Sequence, residues 1–372
     1  MRIAVHAKVL CEPHLNGVGV YSYNILKNLA KIDHENEYVI FSNKPLIHKI
    51  EAPNFKEKIL NFPTLWSFLR LPFEFLGGRY DLFFSTKEFV PLFFKPKSVM
   101  TVHDIKGWMQ PEKVSFQGKA HSWLTDHVFL PRADALLAVS EETKRDIPSH
   151  YPVDPEKITV THLGYDREVY KPIEDSTRVA RVKEKYGINS PYFINTSSLL
   201  WFRKNLIRLI EAFDLLRRSE PNAPVQLVIT GNRGDLYEEM VSLIDRLNLK
   251  KQVLLTGYIP LEEMPVLLSG AEALVFPSLD EGFGLPLIEA MACGCPVISS
   301  RVSAIPEVVG EAGYLLNPTD TNEIMGSMRR ILLEPQERIR LRELGFKRAL
   351  EFSWEKAARQ TLEVFRKVVG HD

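Results

Sequence analysis

Short apolar runs rich in β-branched and aromatic residues alternate with helix-length amphipathic stretches along the whole chain, and the alternation runs through twice. This pattern constrains the fold more than any other feature. Continuous apolar strands separated by helices are what parallel sheets covered on both faces require. In the first half the expected strands are Arg2 to His6, Tyr38 to Phe41, Leu82 to Ser85, Val99 to His103, Leu136 to Ser140 and Ile158 to His162. A polar stretch, Arg167 to Ser190, then carries little strand pattern. The alternation resumes with Tyr192 to Asn195, Val225 to Thr230, Val253 to Leu255, Ala273 to Phe276, Val297 to Ser299 and Tyr314 to Leu316. The expected architecture is α/β, with two doubly wound, Rossmann-like domains at residues 1–170 and 191–353 and a linker at 171–190. The 372 residues are enough to bury two such cores. Sheets of this kind bind ligands beyond the carboxyl ends of their strands, so functional residues are expected in the strand-to-helix loops.

Composition removes several function classes. Lys plus Arg and Asp plus Glu are both 47, so no global field draws the protein to nucleic acid, which is not an expected partner. The three cysteines, Cys11, Cys293 and Cys295, form neither a zinc nor a thioredoxin spacing and fit a reducing compartment. The histidines form no metal cage, and no metal or other cofactor is expected. The sequence opens on a strand-like run with no leader pattern, and no apolar run reaches about 18 residues, so a cytoplasmic protein without a transmembrane helix is expected.

Candidate chemistry lies in the loops. Leu15-Asn16-Gly17-Val18-Gly19 follows the first strand, where small residues let backbone amides and a helix N-terminus approach a phosphate. As a dinucleotide fingerprint it is incomplete, and a tight turn is the structural alternative. His103, in Val102-His103-Asp104, ends a buried strand and reads equally as a ligand contact or a satisfied structural histidine. Arg203 and Lys204 precede a helix from about Leu206. Two adjacent cations there repel each other and oppose the helix macrodipole, a conflict that an anion would resolve. Gly231, Tyr258 and Ile259 follow two further strands, where a flat base could lodge. The sharpest signal is the segment from Phe276 to Ala292, in which a strand, a Gly-rich loop and a helix opening at Pro286 carry Glu281 and Glu289. A carboxylate such as Glu289 can accept two hydrogen bonds side by side and suits the paired hydroxyls of a ribose. The amides of Gly282, Phe283, Gly284 and Leu285 suit a sugar or phosphate.

Glu281-x7-Glu289 within E-G-F-G-L-P-L-I-E-A-M-A, together with Arg203-Lys204-Asn205, Gly17-Val18-Gly19, Val102-His103-Asp104, Gly164-Tyr165-Asp166 and Ile305-Pro306-Glu307-Val308-Val309-Gly310, resembles a retaining glycosyltransferase of GT-B fold, family 4. The likeness spans nearly the whole chain. It implies two domains facing across a cleft, with a C-terminal helix over 354–372 crossing back to the first. It further implies that Glu289 holds the donor ribose, while Glu281 and the amides of Phe283, Gly284 and Leu285 hold the transferred sugar and the diphosphate. Arg203 and Lys204 neutralise the leaving diphosphate, Gly17 and Gly19 bring amides from the other domain, and His103 contacts the donor sugar. Tyr258 and Ile259 line the base pocket, with Gly231 nearby. Front-face displacement, in which the leaving phosphate takes the acceptor's proton, is implied, so no nucleophile is assigned. No Asp-x-Asp occurs, which favours a metal-independent enzyme. The implied partners are a nucleotide-sugar donor, GDP-mannose favoured over UDP-glucose or another hexose donor, and a glycan or lipid-linked acceptor in cell-surface polysaccharide or glycolipid synthesis. A GT-B nucleotide-sugar epimerase is the rival from another class. The aromatic, basic-edged segment from Phe62 to Lys97 is expected mainly as core, with peripheral contact at the inner membrane face as the alternative.

Overall fold

The computed structural model describes residues 1–62, 66–105, 123–196, 202–234 and 236–370. The chain divides into two compact units, Met1–Gly164 with Ser353–Asp372, and Tyr165–Phe352. In the first unit β1 (Arg2–His6), β2 (Glu37–Ser42), β3 (Phe55–Ile59), β4 (Leu82–Ser85), β5 (Lys97–Val102), β6 (Ala135–Ala138) and β7 (Ile158–Val160) form a parallel sheet of order β3-β2-β1-β4-β5-β6-β7. In the second, β8 (Tyr192–Thr196), β9 (Gln226–Thr230), β10 (Val253–Gly257), β11 (Ala273–Phe276), β12 (Val297–Ser300) and β13 (Gly313–Leu316) form a parallel sheet of order β10-β9-β8-β11-β12-β13. Strand order reverses between β1 and β4 and between β8 and β11. Crossovers diverge from those points and open a crevice at the carboxyl ends of the strands.

Two expectations are corrected. β3 was not among the expected strands, because Phe55-Lys56-Glu57-Lys58-Ile59 carries three consecutive charged residues and only Phe55 is buried. Charge of this kind belongs on an edge strand, where it discourages pairing with another chain. Lys58 pairs with Glu74, and the Leu46 N–H donates to Glu57 Oε1 at 2.8 Å. Residues 171–190 are not a linker but part of the second unit. Asp175 caps a helix over Ser176–Lys185, which packs on the Met264–Gly270 helix. Ile173 N–H donates to Ser269 Oγ at 3.0 Å, and Tyr186 and Lys185 both reach the Glu263 carboxylate. The stretch reads as polar because that helix buries a single residue, Val182.

The Trp354–Val369 helix lies in the first unit against the Gly17–Ile32 helix, with Phe365 edge-on to Phe84 at 5.0 Å between ring centroids. Gly164 is pressed on the same segment, since a Cβ there would lie 2.1 Å from Trp354 N and 2.5 Å from Ser353 C. Only glycine fits such a backbone approach. Among the described residues no helix is long and apolar enough to cross a membrane.

Candidate functional site

The loops leaving β8 and β11, on either side of the second sheet's reversal, are sewn together. After β8, Phe202–Lys204 makes one 3-10 turn and Asn205 takes a left-handed conformation (φ 59°) before the Leu206–Ser219 helix. Asparagine tolerates that region better than most residues. Buried Asn205 donates from its amide to Pro277 O at 3.0 Å and Pro318 O at 2.6 Å, and Leu279 N–H donates to Arg203 O at 2.7 Å. The β11 loop ends at Gly284 (φ 100°), where a Cβ would stand 2.7 Å from Leu287 Cδ1, and the Leu285–Ala292 helix begins there with Pro286 in its first turn. The expected residues Ser197 to Trp201 lie outside the described residues.

This stitching brings opposite charges together. Lys204 Nζ lies 2.5 Å from Glu281 Oε1, with only 11% and 9% of the two side chains exposed, and Lys204 also lies 4.9 Å from the centre of the Phe276 ring. Arg203 reaches the Asp280 carboxylate at 3.8 Å and donates to its carbonyl at 3.4 Å. Burial opposes ionisation of Glu281, but the Lys204 ammonium and Arg203 guanidinium outweigh it and hold the carboxyl below its ordinary range. Glu289, eight residues on, is shifted the opposite way: burial pushes its carboxyl up to about 7, against a hydrogen bond from the Tyr170 hydroxyl. The two carboxylates of the E-x7-E segment are thus driven apart in acidity, one fixed as an anion and one poised near neutrality. Phe283 is buried edge-on to Phe352 at 5.6 Å. Gly231 N–H donates to Gly257 O at 2.9 Å, which joins the ends of β9 and β10, and beside them Ile259 is buried while Tyr258 is 51% exposed.

The remaining predicted residues lie in the first unit. His103, at the end of β5, is buried and places Nε2 2.8 Å from Thr86 O. A carbonyl only accepts, so Nε2 carries a proton, and Nδ1 is the ring nitrogen left to face another partner. Tyr21 meets the ring edge-on at 4.8 Å, and the His103 N–H donates to Glu88 Oε1 at 2.9 Å. Gly19 N–H donates to the capping Asn16 side chain at 3.0 Å. A Cβ on Gly19 would meet Leu15 at 2.9 Å and Val9 at 3.2 Å, so packing alone accounts for that glycine, whereas Gly17 is exposed with nothing within 4 Å of such a Cβ. Sequence reasoning missed His6, buried at the end of β1 with Nε2 3.1 Å from Ser67 Oγ and kept neutral by burial and by nearby Lys87 and Lys8. It also missed Tyr170 and Ser303. Neither belongs to a local pattern that could have revealed it. Among the described residues no three His, Cys, Asp or Glu side chains converge as metal ligands.

The aromatic segment splits between interior and surface. Trp66, Phe75 and Phe89 are core, but Phe73, Phe93 and Phe94 are 58%, 57% and 54% exposed, so the expectation of core holds for only part of it. Pro63 to Leu65 lie outside the described residues.

Two family models match the chain: "Glycosyltransferase Family 4" over residues 15–169 and "Glycosyl transferases group 1" over residues 180–348. The chain is 29% identical to O-antigen chain mannosyltransferase B of Escherichia coli, over 95% of this chain and 96% of that protein. It is 30% identical to O-antigen chain mannosyltransferase RfbU of Salmonella typhimurium, over 72% of this chain and 69% of that protein. Among solved structures, sucrose-phosphate synthase from Thermosynechococcus elongatus superposes with a TM-score of 0.79 at 20% identity, covering all of both chains.

Proposed function

The chain belongs to the glycosyl transferases of group 1 and family 4, hexosyltransferases of GT-B fold, and from that premise we propose that it moves mannose, with retention, from GDP-mannose to a glycan or lipid-linked acceptor in polysaccharide synthesis. The observation that carries this reading is the cluster of Arg203, Lys204, Asp280 and Glu281 at the sheet's reversal point, beside the helix opened by Gly284. A diphosphate leaving group gains negative charge as the anomeric C–O bond breaks. Two fixed cations and the first amides of a helix are preorganised to meet that charge. The new C–O bond forms on the same face, and the acceptor's proton passes to the departing phosphate oxygen.

In this reading Glu281, an anion held between Lys204 and Arg203, accepts hydroxyl hydrogen bonds from the transferred sugar, and the Phe283, Gly284 and Leu285 amides donate to the sugar and the diphosphate. Glu289 accepts both ribose hydroxyls once it is ionised and Tyr170 has yielded. Tyr258 and Ile259, with Gly231, receive the base. His103 offers Nδ1 as an acceptor to a donor-sugar hydroxyl, and the Gly17 amide serves the diphosphate, while the Gly19 N–H is held by the Asn16 cap and Gly19 serves only by its small size. The mannose assignment draws on the names of the two relatives above, both mannosyltransferases.

Thermal-shift screening of nucleotide sugars and free nucleotides with EDTA present tests the donor, because a ligand that binds only the folded state raises the melting temperature. A selective rise with GDP-mannose and GDP is expected. A rise confined to the uridine series overturns the donor and keeps the transferase. Contact with a membrane is supported by exposed Phe73, Phe93 and Phe94, the first and last with ring centroids 6.2 Å apart. Flotation with anionic vesicles should be lost in Phe93→Ser/Phe94→Ser with folding intact, and unchanged flotation would rule that contact out.

A further inference from the structure

We propose that Ser303 is a positioning residue that holds Glu281 where it must meet the transferred sugar, an inference that rests on the assignment of Glu281 above. Ser303 lies just past β12, and its backbone is left-handed (φ 58°), a conformation a serine adopts only at a steric cost. That conformation lets one hydroxyl serve both main-chain groups of Glu281: Oγ accepts from the Glu281 N–H at 3.0 Å and donates to the Glu281 carbonyl at 2.5 Å. The carboxylate of the same residue is gripped by Lys204 at 2.5 Å. Glu281 is therefore fixed at both ends, its backbone by β12's loop and its side chain by β8's.

Without the hydroxyl, the Glu281 carbonyl keeps, among the described residues, the Ala304 N–H at 3.4 Å. The loop could then follow Lys204 instead of opposing it. A carboxylate that accepts from two sugar hydroxyls is sensitive to such drift, because a small misplacement of a positioning group forfeits much of its effect. The Arg203-Lys204 pair would remain to bind diphosphate. Ser303 should accordingly govern what happens to the sugar and leave the nucleotide's grip alone.

Ser303→Gly separates the hydroxyl from the backbone, since glycine takes a left-handed conformation without steric cost and the variant should fold. Nucleoside diphosphate release is measured with GDP-mannose, or with UDP-glucose if that is what the wild type turns over, and the affinity for the matching free diphosphate is measured by calorimetry. The expected result is a kcat lower by about tenfold with the diphosphate Kd within about twofold of wild type and the melting temperature retained. In a Glu281→Gln background the same change should add less than about twofold, because both act through one group. A fully active Ser303→Gly beside an impaired Glu281→Gln overturns the role of Ser303 alone. Diphosphate affinity falling in step with kcat, or full additivity with Glu281→Gln, makes Ser303 merely structural. Normal turnover in Glu281→Gln removes the assignment of Glu281, and the role of Ser303 with it.

Discussion

The two units repeat one topology and furnish it with opposite chemistry. At the first reversal point the strand ends carry His6, Ser85, Thr86 and, one strand over, Thr101 and His103, which are buried and joined by hydroxyl and carbonyl hydrogen bonds. At the second, the same relative loops carry Arg203, Lys204, Asp280 and Glu281, paired by charge. The order shared by six strands of each sheet thus supplies only a crevice. The loop residues decide whether it presents hydroxyls and carbonyls or paired charges.

The comparison breaks most severely if charge in the second unit is dispensable. Lys204→Ala leaves the Glu281 carboxylate buried without its partner, so we expect turnover to fall about 100- to 1000-fold and stability by about 3 kcal/mol, read by steady-state kinetics and denaturant unfolding. A variant with near-normal turnover would contradict the diphosphate role. In the first unit the largest effect should be structural. Gly164→Ala drives a Cβ into the Trp354 backbone and should cost about 1–3 kcal/mol in denaturant melts. Gly17→Ala meets nothing, so its melt should match the wild type while diphosphate affinity reports any role of its amide.

His103→Ala sharpens the neutral side of the comparison. Loss of one acceptor to the sugar should lower kcat by about tenfold without changing GDP affinity. Equal loss of GDP affinity would move His103 from the sugar to the phosphates. The smallest effect is a pH dependence. Glu289 has its folded pKa raised to about 7 from 4.5, so the folded protein binds more protons than the unfolded chain between those values and loses stability as pH rises through that window. Ribose hydroxyls need the ionised carboxylate, so GDP affinity should weaken as pH falls below about 7, by at most about tenfold per unit. Glu289→Gln should flatten the profile. Glu281 is shifted the other way, so the stability of its pair with Lys204 is present above the ordinary carboxyl range and lost only on stronger acidification. A profile unchanged by Glu289→Gln would show that another group titrates.

Most strands, the doubly wound arrangement of each unit and the E-x7-E segment were legible in the sequence, because an apolar run, a helical period and a Gly-rich loop are written in neighbouring residues. Even the conflict of Arg203 beside Lys204 at a helix start was visible, and its partners Asp280 and Glu281 stood in the sharpest motif. β3 escaped because an edge strand buries little. The Ser176–Lys185 helix read as linker because its single buried residue matters only against the Met264–Gly270 helix.

The sequence by itself determined where the crevice-forming loops begin and which residue types they offer, since backbone limits and periodicity act over a few residues. The tertiary structure alone decided that Glu281 is an anion and Glu289 poised near neutrality, that Nε2 of His103 holds a proton, and that a left-handed Ser303 clasps Glu281. Each of those depends on burial or on a partner 17 to 77 residues distant in the chain, and such proximity exists only once the sheet has brought the strand ends together.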